Sequence, residues 1–137
     1  MWLSRQVRPG AATADADLGV TTISGQKVGV VTRGEVRDLP VYGPGGYLWT
    51  PANGAAVLVI KGGPGGEEQC VAGARPPEKL PKIEPEEVYL YGPGGNSVYL
   101  KRDGSVEIQG SRVSVTGGLS ITGELTVNGQ PWMPCGC

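Results

Sequence analysis

Histidine and phenylalanine are both absent from this 137-residue chain. Without histidine there is no His-based triad, and the usual general base of enzyme chemistry is missing. Positive charge is not in excess either. Twelve Lys and Arg against 13 Asp and Glu give a formal net charge of -1. Nucleic-acid binding wants a clustered surplus of cations, so nucleic acid is not expected as the main partner. No apolar run approaches the ~18 residues that a membrane-spanning helix needs, so the chain is not expected to be an integral membrane protein. Arg5 and Arg8 near the N-terminus are followed by no apolar stretch, so a secretory signal is not expected and assembly in a cytoplasm is. Three cysteines, Cys70, Cys135 and Cys137, cannot form a fully paired disulfide framework within one chain. Long helices are hard to place, because Gly or Pro interrupts nearly every dozen residues.

What is present points to strands and tight turns. Glycine is abundant at 24 residues and proline at 12. Val, Ile, Thr and Tyr carry most of the apolar content, which suits a pleated, half-buried backbone. Residues 1–17 are polar and Ala-rich and read as an N-terminal arm. Residues 18–75 carry five short apolar segments: Val20–Ser24, Val28–Val31, Val36–Val41, Ala55–Ile60 and Gln69–Ala74. Turn signals separate them, at Ser24-Gly25, Arg33-Gly34, Gly43-Pro44-Gly45-Gly46, Asn53-Gly54 and Gly62–Gly66. Five strands at this spacing predict a small OB-like β-barrel. Residues 76–87 hold Pro76, Pro77, Pro81 and Pro85 among Glu and Lys, a semi-rigid linker.

From Val88 one short unit recurs: an apolar residue, a water-tolerant residue, a second apolar residue, then a turn. The pairs are Val88/Leu90, Val98/Leu100, Val106/Ile108, Val113/Val115, Leu119/Ile121 and Leu125/Val127, starting ten, eight, seven, six and six residues apart. Tyr89, Tyr99, Glu107, Ser114, Ser120 and Thr126 stand between them. Three residues are the fewest that put two side chains on one face of a strand, and a corner of two to five residues then redirects the chain. Short, even, Gly-cornered strands with one apolar face fit a β-helix better than a meander. One chain can neither cover two apolar residues per strand nor pair its own edges. Three chains about a common axis do both. The expected fold is therefore all-β: an OB-like barrel (18–75), then a short intertwined trimeric β-helix needle (88–130) with twelve core residues, and a tip (131–137). Trp132 and Met133 are suited to cap the axis, with Pro131 and Pro134 ending strand pairing.

These residues resemble the phage baseplate assembly protein V family. The resemblance rests on Gly73-Ala74-Arg75-Pro76-Pro77, on the run from Glu87-Val88-Tyr89-Leu90-Tyr91-Gly92-Pro93-Gly94-Gly95-Asn96 to Leu100, and on Lys101-Arg102-Asp103-Gly104-Ser105-Val106-Glu107-Ile108. It is strongest from Gly73 to Ile121 and weak over the first seventeen residues. It implies the central spike of a contractile phage tail or phage-like injection system, similar to the type VI secretion spike. It also implies a homotrimer in the virion tail baseplate, docked on hub and tail-tube proteins and driven into the host cell envelope. Two departures matter. The short linker leaves no room for the lysozyme domain of larger members. The family's His-rich, iron-binding apex has no counterpart here, so its ligands cannot be carried over.

The missing histidine also counts against a hexapeptide-repeat acyltransferase, whose chemistry relies on one. Glu84, Glu86 and Glu87 lie in a Pro-rich spacer and read as a solvated face, not as a glycosidase pair. The two Gly-Pro-Gly-Gly runs lack the Gly-Lys-Ser/Thr ending of a phosphate loop, and turn chemistry explains them. Tyr42, Tyr47 and Trp49 could stack bases on an OB barrel, but no basic groove accompanies them. An OB-fold single-stranded nucleic-acid binder, or a β-helical adhesin or enzyme, are the rival readings; no enzymatic activity and no catalytic residue are expected. Cys135 and Cys137 would gather six thiols at one end of a parallel trimer. A metal ion (Fe or Zn), interchain disulfides or free thiols all remain open there. Cys70 reads as a small hydrophobe within a strand.

Overall fold

A computed structural model describes residues 16–134 of the chain. Every regular element in it is a strand, so the described chain is all-β. Two compact units meet at the Leu80/Pro81 boundary, inside the Pro-rich linker.

The N-terminal unit contains β1 (Ala16–Ile23), β2 (Lys27–Val31), β3 (Glu35–Pro40), β4 (Ala56–Gly62) and β5 (Glu68–Ala74). Each covers one of the five segments marked by apolar alternation, and each break falls at a predicted turn. Ala16 and Asp17, read as the end of the arm, open β1 instead. Their register is fixed by β4, where Ala16 faces Ile60 and Asp17 faces Val59. Asp17 also accepts a hydrogen bond from Lys61 at 2.9 Å, which holds its carboxyl below the ordinary value.

The five strands form one antiparallel sheet in the order β3-β2-β1-β4-β5. Its two edges meet. Val41 bridges Val71 in parallel, and the Tyr42 N–H donates to Val71 O at 2.8 Å. Reading around the sheet through this bridge gives β1-β2-β3-β5-β4. The bridge is a single residue pair, and beside it the edges of β3 and β5 flank an open groove lined by Val36, Arg37, Leu39, Glu68 and Cys70. Val28, Val30, Leu39, Val57, Val59 and Val71 fill the interior, with Val36, Val41 and Trp49 packed against them. Alternation explains the choice: in β4, Val57 and Val59 point in while Ala56, Leu58 and Ile60 point out. Gly19 permits the tightest approach of β1 to β2, since a Cβ there would lie 2.4 Å from Val30 Cγ1 and 2.8 Å from Thr32 Cγ2.

The C-terminal unit contains β6 (Val88–Tyr91), β7 (Ser97–Leu100), β8 (Val106–Gln109), β9 (Thr126–Val127) and β10 (Gln130–Pro131). The first three form an antiparallel meander within one chain. The sequence pattern favoured a β-helix over a meander for all six repeats, so here the structure differs. The turns after β6 and β7 span five residues each, long enough to reverse the chain and let neighbours in sequence pair directly. Where spacing shortens, pairing stops. No backbone hydrogen bond joins residues 110–124 to any other described residue, and no strand is formed there.

Two substitutions test the N-terminal core. Leu39→Ala should lower unfolding free energy by about 2–5 kcal/mol, as truncation of a buried leucine does. Gly19→Ala should cost about 1–3 kcal/mol through overpacking against Val30. Urea titrations followed by circular dichroism measure both, and wild-type behaviour of Gly19→Ala would show that the β1/β2 approach is looser than described.

Candidate interaction surface on the C-terminal unit

The registers of β6, β7 and β8 sort their side chains into two faces. Leu90, Val98 and Ile108 lie directly across from one another, and so do Val88, Leu100 and Val106. Alternation puts all six on one face of the sheet. That face is uncovered: Val88, Leu90, Leu100, Val106 and Ile108 are exposed, Ile108 to 61%. Val98 is half-buried. An open groove of about 470 Å3 runs beside Leu90, Val98, Ile108 and Val113.

Tyr89, Tyr99 and Glu107 form the row between, on the opposite face. Tyr89 meets Tyr99 edge-on at 5.3 Å and stacks with Tyr91 at 6.0 Å. Lys101 pairs with Glu107 and lies 5.5 Å from the Tyr99 ring centre. This face satisfies itself with short-range partners, whereas the apolar face has none.

Glu87 departs from the solvated face expected of the three spacer glutamates. One carboxylate oxygen accepts from the Tyr99 hydroxyl at 2.7 Å and from the Glu84 N–H at 2.9 Å. The other accepts from the Arg102 N–H at 3.0 Å. Glu87 thus ties the linker's end to β7 and to the start of the turn that follows it. The Tyr99 hydroxyl, with the two N–H donors, holds the Glu87 carboxyl below its ordinary value. In return the carboxylate pushes the Tyr99 phenol up to about 12. Nothing in the spacing of three glutamates distinguished this one; only its position across from Tyr99 and the following turn does.

Beyond β8, Val113, Val115, Leu119 and Ile121 stand outside any strand, with Leu119 exposed to 70%. Gly117 and Gly123 take left-handed φ values of 112° and 116° at the corners that the repeat predicted. Leu125 is half-buried, and Val127 lies in β9. Asn128-Gly129, with φ of 52° and 77°, makes the two-residue turn of a hairpin that pairs Val127 with Gln130 and Thr126 with Pro131.

The tip is therefore built differently from expectation. Pro131 does not end pairing, because it sits across from Thr126 and the next residue, Trp132, donates its N–H to Leu125 O at 2.7 Å. Proline is tolerated at such an edge position, where its missing N–H is not needed. Trp132 and Met133 are both exposed. Cys135 and Cys137, the candidate metal ligands, lie outside the described residues. Among the described residues no cluster of three metal-ligating side chains occurs. In the N-terminal unit, Trp49 packs on the core and donates to Tyr42 O at 3.1 Å, while Tyr42 and Tyr47 stay exposed. Cys70 is only half-buried in β5. No helix among the described residues is long and apolar enough to cross a membrane.

No protein-family model matches the chain, and a search of curated proteins finds no match.

The Glu87–Tyr99 pair yields a pH prediction. A carboxylate depressed in the folded state stabilises the fold above its unfolded value near 4.5, and that contribution is lost as pH falls through the folded value. The raised Tyr99 phenol stabilises below its ordinary value of 10.0 and loses that contribution as pH climbs toward about 12. Ultraviolet titration of the five tyrosines should show one ionising last. In Glu87→Gln that last phenol should move back toward 10, and the acid-side loss of the thermal midpoint should flatten. An unchanged titration curve would remove Glu87 from this role.

Proposed function

We propose that this protein is the structural central spike of a contractile phage tail or phage-like injection system. In this reading it is a homotrimer with an OB-type barrel followed by a short intertwined β-helix, held in the baseplate by hub and tube proteins and pushed into the host envelope. It is a mechanical part and performs no catalysis.

The observation that carries the reading is the state of residues 110–124. They hold aliphatic side chains in the open, outside any strand and with no backbone hydrogen bond to another described residue. A lone chain would bear the cost of both exposed apolar surface and unpaired backbone. Copies of the same segment wound in parallel remove both costs at once, since each edge pairs with the next chain and each apolar pair faces a shared axis. The six-residue spacing of Val113/Val115, Leu119/Ile121 and Leu125/Val127 gives every level the same geometry. The uncovered face of β6–β8 continues the row at the linker end.

Support for the OB-type barrel comes from the strand order β1-β2-β3-β5-β4 and the parallel β3/β5 closure. The motifs shared with baseplate assembly protein V add the setting. A rigid, closed barrel is suited to being gripped, and a narrow trimeric needle to leading a thrust.

Particle mass and a pair of neighbouring substitutions test this. The full chain should sediment as a trimer at three times 14.2 kDa. Ile108→Asp would gather three carboxylates at one level of a dry axis, among the costliest changes available. It should abolish the trimer or its solubility. Glu107→Ser, on the opposite face, removes only an exposed ion pair and should shift stability by less than about 1 kcal/mol. Equal tolerance at both positions, or a well-folded monomer, would contradict the spike. In purified tail particles the chain should be present at three copies per tail; its absence would contradict the setting even if the trimer stands.

A further inference from the structure

Strands β3 and β5 part on one side of the Val41/Val71 bridge. A parallel course from that bridge would bring Leu39 beside Gln69 and Arg37 beside Glu67. Yet β3 and β5 share no ladder, and no backbone hydrogen bond joins them among the described residues. The cause is a bulge. Arg37 and Asp38 together stand opposite Gly29, between the pairs Val30/Val36 and Val28/Leu39, and Asp38 takes a left-handed φ of 60°. Such a bulge bends the strand and ends its pairing. On the β5 side, Val71 turns its C=O toward Tyr42. Alternation turns the backbone of Gln69 the same way, where no loop or turn backbone among the described residues bonds it. An open edge of this kind accepts an added strand.

The groove beside this edge measures about 720 Å3, and Val36, Leu39, Ile60 and Cys70 give it apolar walls. Its charge is one-sided. Arg37 pairs with Glu35, and Lys61 on neighbouring β4 pairs with Asp17. Asp38, Glu67 and Glu68 also line the groove, and none of them has a cation partner among the described residues.

This chain's own N-terminal segment has the reach and the chemistry to fill it. Ala16, the first residue of β1, lies across from Ile60, and Ile60 lies across from Cys70. Residues 1–15 therefore enter the sheet two strands from the groove edge, about 10 Å at the spacing of neighbouring strands. The eight steps from Ala16 back to Arg8 span up to about 26 Å. Residues 1–10 carry Arg5 and Arg8, no acid, and the apolar Trp2, Leu3 and Val7. We propose that residues 1–10 seat in the β3/β5 groove of their own chain, adding backbone to the β5 edge and setting two arginines against the three carboxylates. The inference rests on the N-terminal unit alone and is independent of the spike.

Cys70 reports on the groove, because it lines it and is only half-buried. In the full chain, iodoacetamide labelling is followed by peptide mass, which separates Cys70 from Cys135 and Cys137. Arg5→Glu with Arg8→Glu should label Cys70 several-fold faster than wild type. Adding Glu68→Arg to that variant should slow labelling again. A new cation near the thiol would by itself speed the reaction, so slowing reports renewed cover. A second measurement places a photo-reactive benzophenone amino acid at position 2 in place of Trp2. Irradiation should give crosslinks to β3 or β5 within a single-chain mass. Equal Cys70 rates in wild type and the double variant, crosslinks mapping to other strands, or crosslinks only between chains would overturn the proposal, whatever the sedimenting mass.

Discussion

Extended backbone offers hydrogen-bonding groups along two edges and side chains to two faces, and a stable strand must satisfy all four. Residues 110–124 satisfy none of the apolar or edge requirements among the described residues. Most of what is proposed for this molecule follows from that unmet demand. In the proposed spike that demand is met by three chains wound in parallel about an axis that buries the aliphatic row, and folding of the segment would then be coupled to association and depend on chain concentration.

The two units solve the same problem in different ways. In the N-terminal unit, Val41 just after β3 bridges Val71 of β5, which brings the two edges of the sheet together over six buried aliphatic side chains. In the C-terminal unit the meander β6–β8 pairs its own backbone but leaves one face bare, and residues 110–124 pair with no other described residue. The Tyr-rich face of that meander, tied by Glu87, Lys101 and Glu107, gives each chain a small folded platform before the unpaired segment begins. Such a platform fixes which face each chain presents. A one-residue slip would turn the aliphatic row away from the proposed axis and present Tyr and Glu to it instead.

Much of this was legible in the sequence, for identifiable reasons. Period-two alternation bounded by Asn53-Gly54 and the other Gly turns located all five N-terminal strands, because burial on one face leaves that mark. Leu58 and Ile60 sat unnoticed within a continuous apolar run, since alternation cannot separate an inner residue from an outer one when both are apolar. The faces of β6–β8 were legible, but their partners were not: alternation tells where a side chain points and is silent on which strand lies alongside. The five-residue turns Gly92–Asn96 and Lys101–Ser105 carry that information, because they are long enough to reverse the chain. Pro131 was read as a stop because proline lacks an N–H, yet an edge position in a hairpin does not use that group. Glu87 was hidden among three glutamates because its partners, Tyr99 and the Arg102 N–H, are brought to it only by the fold.

Amide hydrogen exchange read by mass spectrometry along residues 110–124 of the assembled full chain tests the central claim most directly. If copies of the chain pair there, these amides exchange slowly in the assembly and speed up on dilution, while the amides of β1, β2 and β4 keep their protection throughout. Rapid exchange of 110–124 at every concentration, beside a protected N-terminal sheet, would contradict the account.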